Sequence, residues 1–246
     1  MVVLMKDLIF NNNEHQGVTV IIPAYNEGPR IKNVIEPIIG SEYIQKIIVV
    51  DDCSSDDTYQ RVNEINSEKL KIIRKEKNAG KTLAMKTGLD NTETDYILFL
   101  DADLTNIILT DIEKLIEPVI NKKVDVTMSI RKNSLKIYKM LKCDFVSGER
   151  CLNKNIIKKI FVKPKIGFGI EVLMNDYFIK NEVSFVCIPV NFSNTMKSQK
   201  QGMFKGFINE FKMIIQIFKA VPFYKVIFQM FKMSKISKRY RKKFNL

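Results

Sequence analysis

Four apolar, β-branched runs in the first hundred residues each stop at a polar or turn-forming cluster, with helical patterns between them. They cover 18–22, closed by Pro23; 46–50, closed by Asp51 and Asp52; 70–73; and 96–100, closed by Asp101-Ala102-Asp103. Between the first two, apolar residues at 31, 34, 35, 38 and 39 mark one helix face over 30–39. Ser55-Asp56-Asp57-Thr58 supplies short polar side chains able to cap free backbone N–H groups. Asn78-Ala79-Gly80-Lys81 turns into a helix over 82–89. Strands alternating with helices predict an α/β fold with a doubly wound, mostly parallel sheet. Such sheets bind ligands beyond the carboxyl ends of their strands, where these polar clusters lie. The same pattern continues as a helix over 110–121, a strand over 124–130, a helix over 172–179 and a strand over 183–190.

Asp101 and Asp103 are two residues apart, so an extended backbone points both carboxylates the same way. They repel unless a cation sits between them, and hard oxygen ligands suit Mg2+ or Mn2+. A metal with so few protein ligands commonly also holds phosphates, which points to a diphosphate-bearing substrate. The plainer reading is that Asp103 caps a following helix.

Taken in order, Pro23-Ala24-Tyr25-Asn26-Glu27, Asp51-Asp52, Asn78-Ala79-Gly80-Lys81 and Asp101-Ala102-Asp103 resemble the inverting family 2 glycosyltransferases of GT-A, Rossmann-like fold. The match is close over 18–110 and weaker to about 190. The resemblance implies that Pro23, Ala24, Tyr25 and Glu27 line a nucleotide pocket. Asp52 or Asp51 takes the base N–H of uracil or guanine, the alternative being a cap toward Thr58. Gly80 allows close backbone approach, and Lys81 either meets phosphate or is simply solvated. Asp103 is the main metal ligand. Asp101, with Ala102 between the two, contacts ribose or metal-bound water. The cation offsets charge on the departing diphosphate.

Glu171, after Gly167-Phe168-Gly169, is the candidate general base, or else serves the helix macrodipole. Arg150 in Ser147-Gly148-Glu149-Arg150 resembles the arginine of polyprenyl-phosphate sugar transferases that holds an acceptor phosphate; a surface salt bridge is the alternative. One departure stands out: many GT-A enzymes add a late histidine ligand, whereas the only histidine here is His15. Asn194 and Thr195 fill the matching region, and Lys197 or Lys200 is a candidate for phosphate neutralisation. Gly167–Glu171 also resembles retaining glucosyl-3-phosphoglycerate synthases, so transfer to a small phosphorylated acceptor is a second reading. A nucleotidyltransferase is a third, disfavoured because the loop at 23–28 has one glycine and no Lys or Arg. A scaffold that has lost its chemistry fits poorly with the retained acidic residues.

The net charge of +13 is unevenly placed: residues 1–189 balance at +1, and 190–246 at +12 with Glu210 their only acid. We therefore expect a glycosyltransferase domain over 1–195 and a basic amphipathic helical tail over 196–246. Apolar residues recur from Phe204 to Phe218 at helical spacing with Lys205, Lys212 and Lys219 seven apart, and Pro222 interrupts the pattern. Uncharged stretches there are far short of the ~20 residues a span needs, so the expected partner is an anionic membrane surface. A helix packed on the domain or a homodimer contact is the plainer alternative; nucleic acid is not expected, since the aromatics follow a helical stripe. The N-terminal ten residues look too short and charged for a signal peptide. The four cysteines lack metal or disulfide spacing, which fits reduced thiols. The expected setting is cytoplasmic, peripheral on the inner face of the plasma membrane. The expected activity is metal-assisted, inverting transfer from a UDP- or GDP-sugar to a lipid phosphate or glycan.

Overall fold

The computed structural model describes residues 17–161, 169–195 and 223–245. In chain order its elements begin with β1 (Val18–Ala24), α1 (Gly28–Ile35) with a 3-10 turn at Glu36–Ile38, β2 (Ile44–Asp51) and α2 (Thr58–Asn63). Then come β3 (Leu70–Arg74), α3 (Lys81–Asp90), β4 (Tyr96–Phe99), β5 (Leu104–Thr105) and α4 (Leu109–Ile120). The second half holds β6 (Val126–Ile130), α5 (Lys136–Leu141), β7 (Arg150–Asn153), α6 (Lys154–Phe161), α7 (Ile170–Lys180), β8 (Phe185–Pro189), β9 (Ser193–Asn194) and α8 (Phe223–Phe244).

Seven strands form one sheet in the order β3-β2-β1-β4-β7-β6-β8, and β5 pairs with β9 in a separate ribbon. Strands β1 to β4 are parallel, β6 runs parallel to β8, and β7 is antiparallel to both its neighbours. The inner strands are apolar on both faces because helices cover both. Val20, Ile22, Ile47, Val49 and Leu98 face one layer with Ile31, Ile35, Ile112 and Leu115. Ile21, Ile97, Phe99 and Met128 face the other with Met85, Met174 and Phe178.

This topology makes the site. From β1 the chain winds outward to β2 and β3, then returns to place β4 on the other flank of β1. The switch point between β1 and β4 opens a crevice at their carboxyl ends. Because β7 runs backwards, its beginning arrives at that same edge, with Arg150 opposite Phe99 and Met128. Asp103 caps no helix: the short β5 follows it, and α4 starts only at Leu109.

The stripe expected over 204–218, Pro222 and the lysines up to Lys219 lie outside the described residues. The basic end of the chain is one continuous helix, α8, packed along β8 and α7 through buried Gln229, Met233, Ser234 and Ser237. Ser237 Oγ accepts from Cys187 N at 2.9 Å, Arg241 donates to Cys187 O, and Ser234 Oγ donates to Leu141 O at 2.6 Å. The inner face of α8 is thus part of the body, while Tyr224, Ile227, Phe228 and Phe231 stay exposed on the other. Among the described residues, no helix is long and apolar enough to cross a membrane.

Helix α3 lies close on β1 because Gly88 has no side chain; a Cβ there would sit 2.4 Å from Ile21 Cγ2. Gly88→Val forces an overpacked contact of about 1–3 kcal/mol and gains little helix propensity from a β-branched residue. Denaturant unfolding should show that loss, with an unchanged m-value.

Candidate active site

The first two strand-end loops are laced together. Asn26, at φ 54°, receives Ser55 N on its Oδ1 at 2.9 Å, and its own N–H donates to Ser54 Oγ at 2.9 Å. Glu27 N donates to Thr58 Oγ1 at 2.8 Å, and Gly28 N to Asp56 Oδ2 at 3.0 Å. Asp56 also takes Thr58 N at 3.0 Å, so one carboxylate serves the first turns of both α1 and α2. Burial opposes its ionisation, but these donors prevail and hold its pKa below the usual carboxylate range. Pro23 lies within β1, one residue before its end, and the buried Ala24 that ends the strand accepts Asp52 N on its carbonyl at 2.9 Å. The ring of Tyr25 is 49% exposed above this loop, and Glu27 pairs with Arg30 at 2.6 Å.

Asp51 and Asp52 are both buried and engaged by protein donors. Asp51 accepts Ser54 N at 2.9 Å and pairs with Arg74 at 3.3 Å. Asp52 accepts Lys75 Nζ at 2.6 Å, Ala79 N at 3.1 Å and Gly80 N at 2.6 Å. The alternative of a cap toward Thr58 is corrected: Asp56 fills it, and Asp52 instead fastens the turn in which Gly80 adopts φ 88°. That turn aims Lys81, the first residue of α3.

Lys81 is the hub of the crevice. Its Nζ lies 2.6 Å from Asp101 Oδ1 and 2.9 Å from Glu171 Oε1. Burial disfavours the ammonium, yet Asp101 and Glu171 outweigh it and raise the pKa, so the charge persists through the neutral range. Gly148 makes room for this contact, since a Cβ there would lie 2.9 Å from both Asp101 Oδ1 and Lys81 Nζ. Glu171 comes from the first turn of α7, entered through Gly169 at φ 112°; Gly167 and Phe168 lie outside the described residues. The backbone of Asp103 is fixed by Thr195, whose N–H and Oγ1 reach its carbonyl at 3.1 and 3.0 Å. Ala102 between the two aspartates is buried.

Arg131 escaped the sequence reading. It follows β6 directly and reaches Glu149 at 3.5 Å and Asp144 at 3.6 Å. Burial lowers its pKa, but Glu149, Asp144, Asp101 and Asp103 together raise it. It is thus a second cation in the field of the acidic pair. Glu149 is fully buried, accepting Ser129 Oγ at 2.6 Å and Ser147 Oγ at 2.8 Å; burial raises its pKa against the pull of Arg131. The available signal was position, since β6 ends at the same edge as β1 and β4.

Arg150 requires a correction. It is neither a surface salt bridge nor turned toward a phosphate, for it is 0% exposed. Its Nε donates to Ser147 O at 2.9 Å, one terminal nitrogen to Asn175 Oδ1 at 2.9 Å and Glu171 O at 3.3 Å, and the other to Phe145 O at 3.0 Å. Its planar fork ties the Gly148 turn to the start of α7, so it positions Glu171. Lys197, Lys200 and His15 lie outside the described residues.

Asp101 and Asp103 are a hard-oxygen donor pair suited to Mg2+ or Mn2+. No group of three or more His, Cys, Asp or Glu placed to hold a metal occurs among the described residues. The pair therefore fits a divalent ion only when oxygens from substrate or water complete its coordination, and Lys81 already shows that Asp101 takes a cation.

Arg150→Met removes the four hydrogen bonds of a buried guanidinium and should lower unfolding free energy by about 3 kcal/mol or more. Chemical denaturation reads this directly. A loss of acceptor affinity with full stability would return Arg150 to the substrate.

The family model described as "Glycosyl transferase family 2" matches residues 19–178. Poly-beta-1,6-N-acetyl-D-glucosamine synthase of Staphylococcus epidermidis is 31% identical over 101 residues, 39% of this chain and 24% of the relative. The synthase of the same name from Staphylococcus aureus is 32% identical over 102 residues, 41% of this chain and 25% of the relative. The aligned part is thus about a quarter of the length of these curated relatives. A mannosyltransferase from Pyrobaculum calidifontis, solved with GDP-Man and Mn2+, superposes with TM-score 0.69 at 18% identity, covering 82% of this chain and 63% of that one. Glucosyl-3-phosphoglycerate synthase from Mycobacterium tuberculosis, solved with Mn2+, UDP and phosphoglyceric acid, gives TM-score 0.63 at 19% identity, covering 82% and 78%. The strand order, the acidic pair after β4 and the match over 19–178 agree: the fold is GT-A, and the chain belongs to glycosyl transferase family 2.

Proposed function

We propose that this chain transfers a sugar from a UDP- or GDP-linked donor to a lipid phosphate or lipid-linked glycan, working from the inner face of a membrane. The observation that carries this reading is the Lys81 ammonium held between Asp101 and Glu171. A cation site and a candidate base then share one crevice, at the switch point where such sheets bind ligands. Mn2+ or Mg2+ on Asp101 and Asp103 would supply Lewis-acid neutralisation of the diphosphate.

The chain's own groups do the rest. Lys81 offers its ammonium to a diphosphate oxygen in exchange for a carboxylate oxygen. Glu171, released from that pair, accepts the proton of the attacking hydroxyl or phosphate. Arg131 offsets negative charge at the acidic pair, a place the sequence left without a histidine. Asp52 reaches a nucleobase once the Ala79–Gly80 turn yields its hydrogen bonds. The relatives solved with UDP and with GDP-Man motivate both nucleotides as candidates. The membrane part rests on the charge of 190–246 and on the exposed apolar residues of α8.

Calorimetry with UDP or GDP in the presence of Mn2+ should give saturable heat for one of them. Removing the metal with a chelator should abolish most of it, and silence for both overturns the reading. Asp103→Ala should reduce turnover by about 10²–10³-fold or more while leaving the melting temperature near wild type. Released nucleoside diphosphate, rather than pyrophosphate, separates glycosyl from nucleotidyl transfer.

A further inference from the structure

We infer that the α5 segment is a second membrane-binding element, set at the rim of the candidate active site and continuous with α8; this rests on the membrane part of the proposed function. Leu135, Ile137 and Met140 are large apolar side chains that point outward, with Met140 75% exposed. Tyr138 points the other way and packs edge-on against Phe145 at 5.3 Å between ring centres. The short helix is thus anchored by one face and leaves an apolar face without cover among the described residues. Around it stand Lys132, Lys136, Lys139 and Lys142, and no acidic residue occurs between Arg131 and Asp144.

Both ends of the segment enter the site. It leaves from Arg131 and returns at Asp144, closed by Ser134 Oγ donating to Asp144 Oδ2 at 2.5 Å. Asn133 Nδ2 donates to Asn194 O at 2.9 Å, in the ribbon next to Asp103. Its far end touches α8 through the bond from Ser234 to Leu141 O.

Helix α8 has the same two-sided build. At 100° per residue, Met233, Ser237 and Tyr240 fall on the packed side. Tyr224, Ile227, Phe228 and Phe231 fall on the opposite side, followed there by Lys235, Arg239 and Lys242. Lys232 also lies over the Phe228 ring at 5.3 Å.

Charge selects the occupant. A second copy of this chain would set lysine against lysine across a two-fold contact, which is repulsive. Nucleic acid would leave the apolar residues unburied. A bilayer rich in anionic headgroups satisfies both, taking the apolar tips into the interface while lysine stems reach the phosphates. Binding there would turn the rim of the crevice toward the lipid surface, where a lipid-phosphate acceptor resides.

The test is sedimentation of the full chain with phosphatidylglycerol-containing vesicles against pure phosphatidylcholine vesicles. Wild type should bind the former and be released by salt. Lys136→Ser with Lys139→Ser should weaken binding about 25-fold, taking roughly fivefold per lysine near the surface. Ile137→Ser with Met140→Ser should also weaken it at least tenfold, leaving thermal unfolding and nucleotide calorimetry unchanged. Phe228→Ser with Phe231→Ser gives the matching measurement on α8. Vesicle binding that survives both α5 pairs overturns the inference. So does concentration-dependent dimerisation that those pairs abolish, since it assigns the patch to a protein contact. Failure of nucleotide binding alone would sink the donor reading and leave the vesicle result standing.

Discussion

One ammonium group organises the crevice. Asp101 lies just past β4, Glu171 sits in the first turn of α7 and Lys81 opens α3, and like charge would drive the two carboxylates apart without the lysine between them. The surroundings keep it there. Asp52 fastens the turn that aims Lys81, Gly148 clears space beside the contact, and Arg150 holds the backbone from which Glu171 projects. The two carboxylates are thus held together by an internal cation.

The sheet explains why these groups meet. In a wholly parallel sheet only carboxyl ends would reach the crevice. Reversal of β7 brings an amino end there as well, and with it Gly148, Glu149 and Arg150. Arg131 arrives from β6, parallel to β8. Nearby sit two buried acids, Asp144 and Glu149, that hold its guanidinium within the field of Asp101 and Asp103. Paired buried charges of this kind are costly to break from one side.

Much of this was legible from pattern. The first four strands follow from β-branched runs that stop at polar clusters, and their ends name Asp101, Asp103, Asp52 and Lys81 as neighbours. Element edges moved by one to a few residues, as when α1 began at Gly28 because Asp56 caps it from another loop. Arg150 was misread because a charged residue beside glycine looks exposed in one dimension. Only the register opposite Phe99 and Met128 shows that it starts an interior strand. Arg131 was missed because it stands alone after its strand, without a second polar residue to mark it. The basic end of the chain read as a membrane-surface tail or as a helix packed on the domain, and one face of α8 does pack on the body; helical periodicity alone cannot say how many faces find partners.

The helix laid along β8 also settles what happens at the rim of the sheet. β8 is its last strand, and an open last strand offers free N–H and C=O groups to any passing chain. Here Cys187 gives its N–H to Ser237 and its carbonyl to Arg241, so side chains from α8 occupy positions a foreign strand would need. At the opposite rim β3 carries Lys71 and Arg74, and charge takes over the same guarding duty. The segment that gives this chain its basic character therefore doubles as a shield against edge-to-edge aggregation.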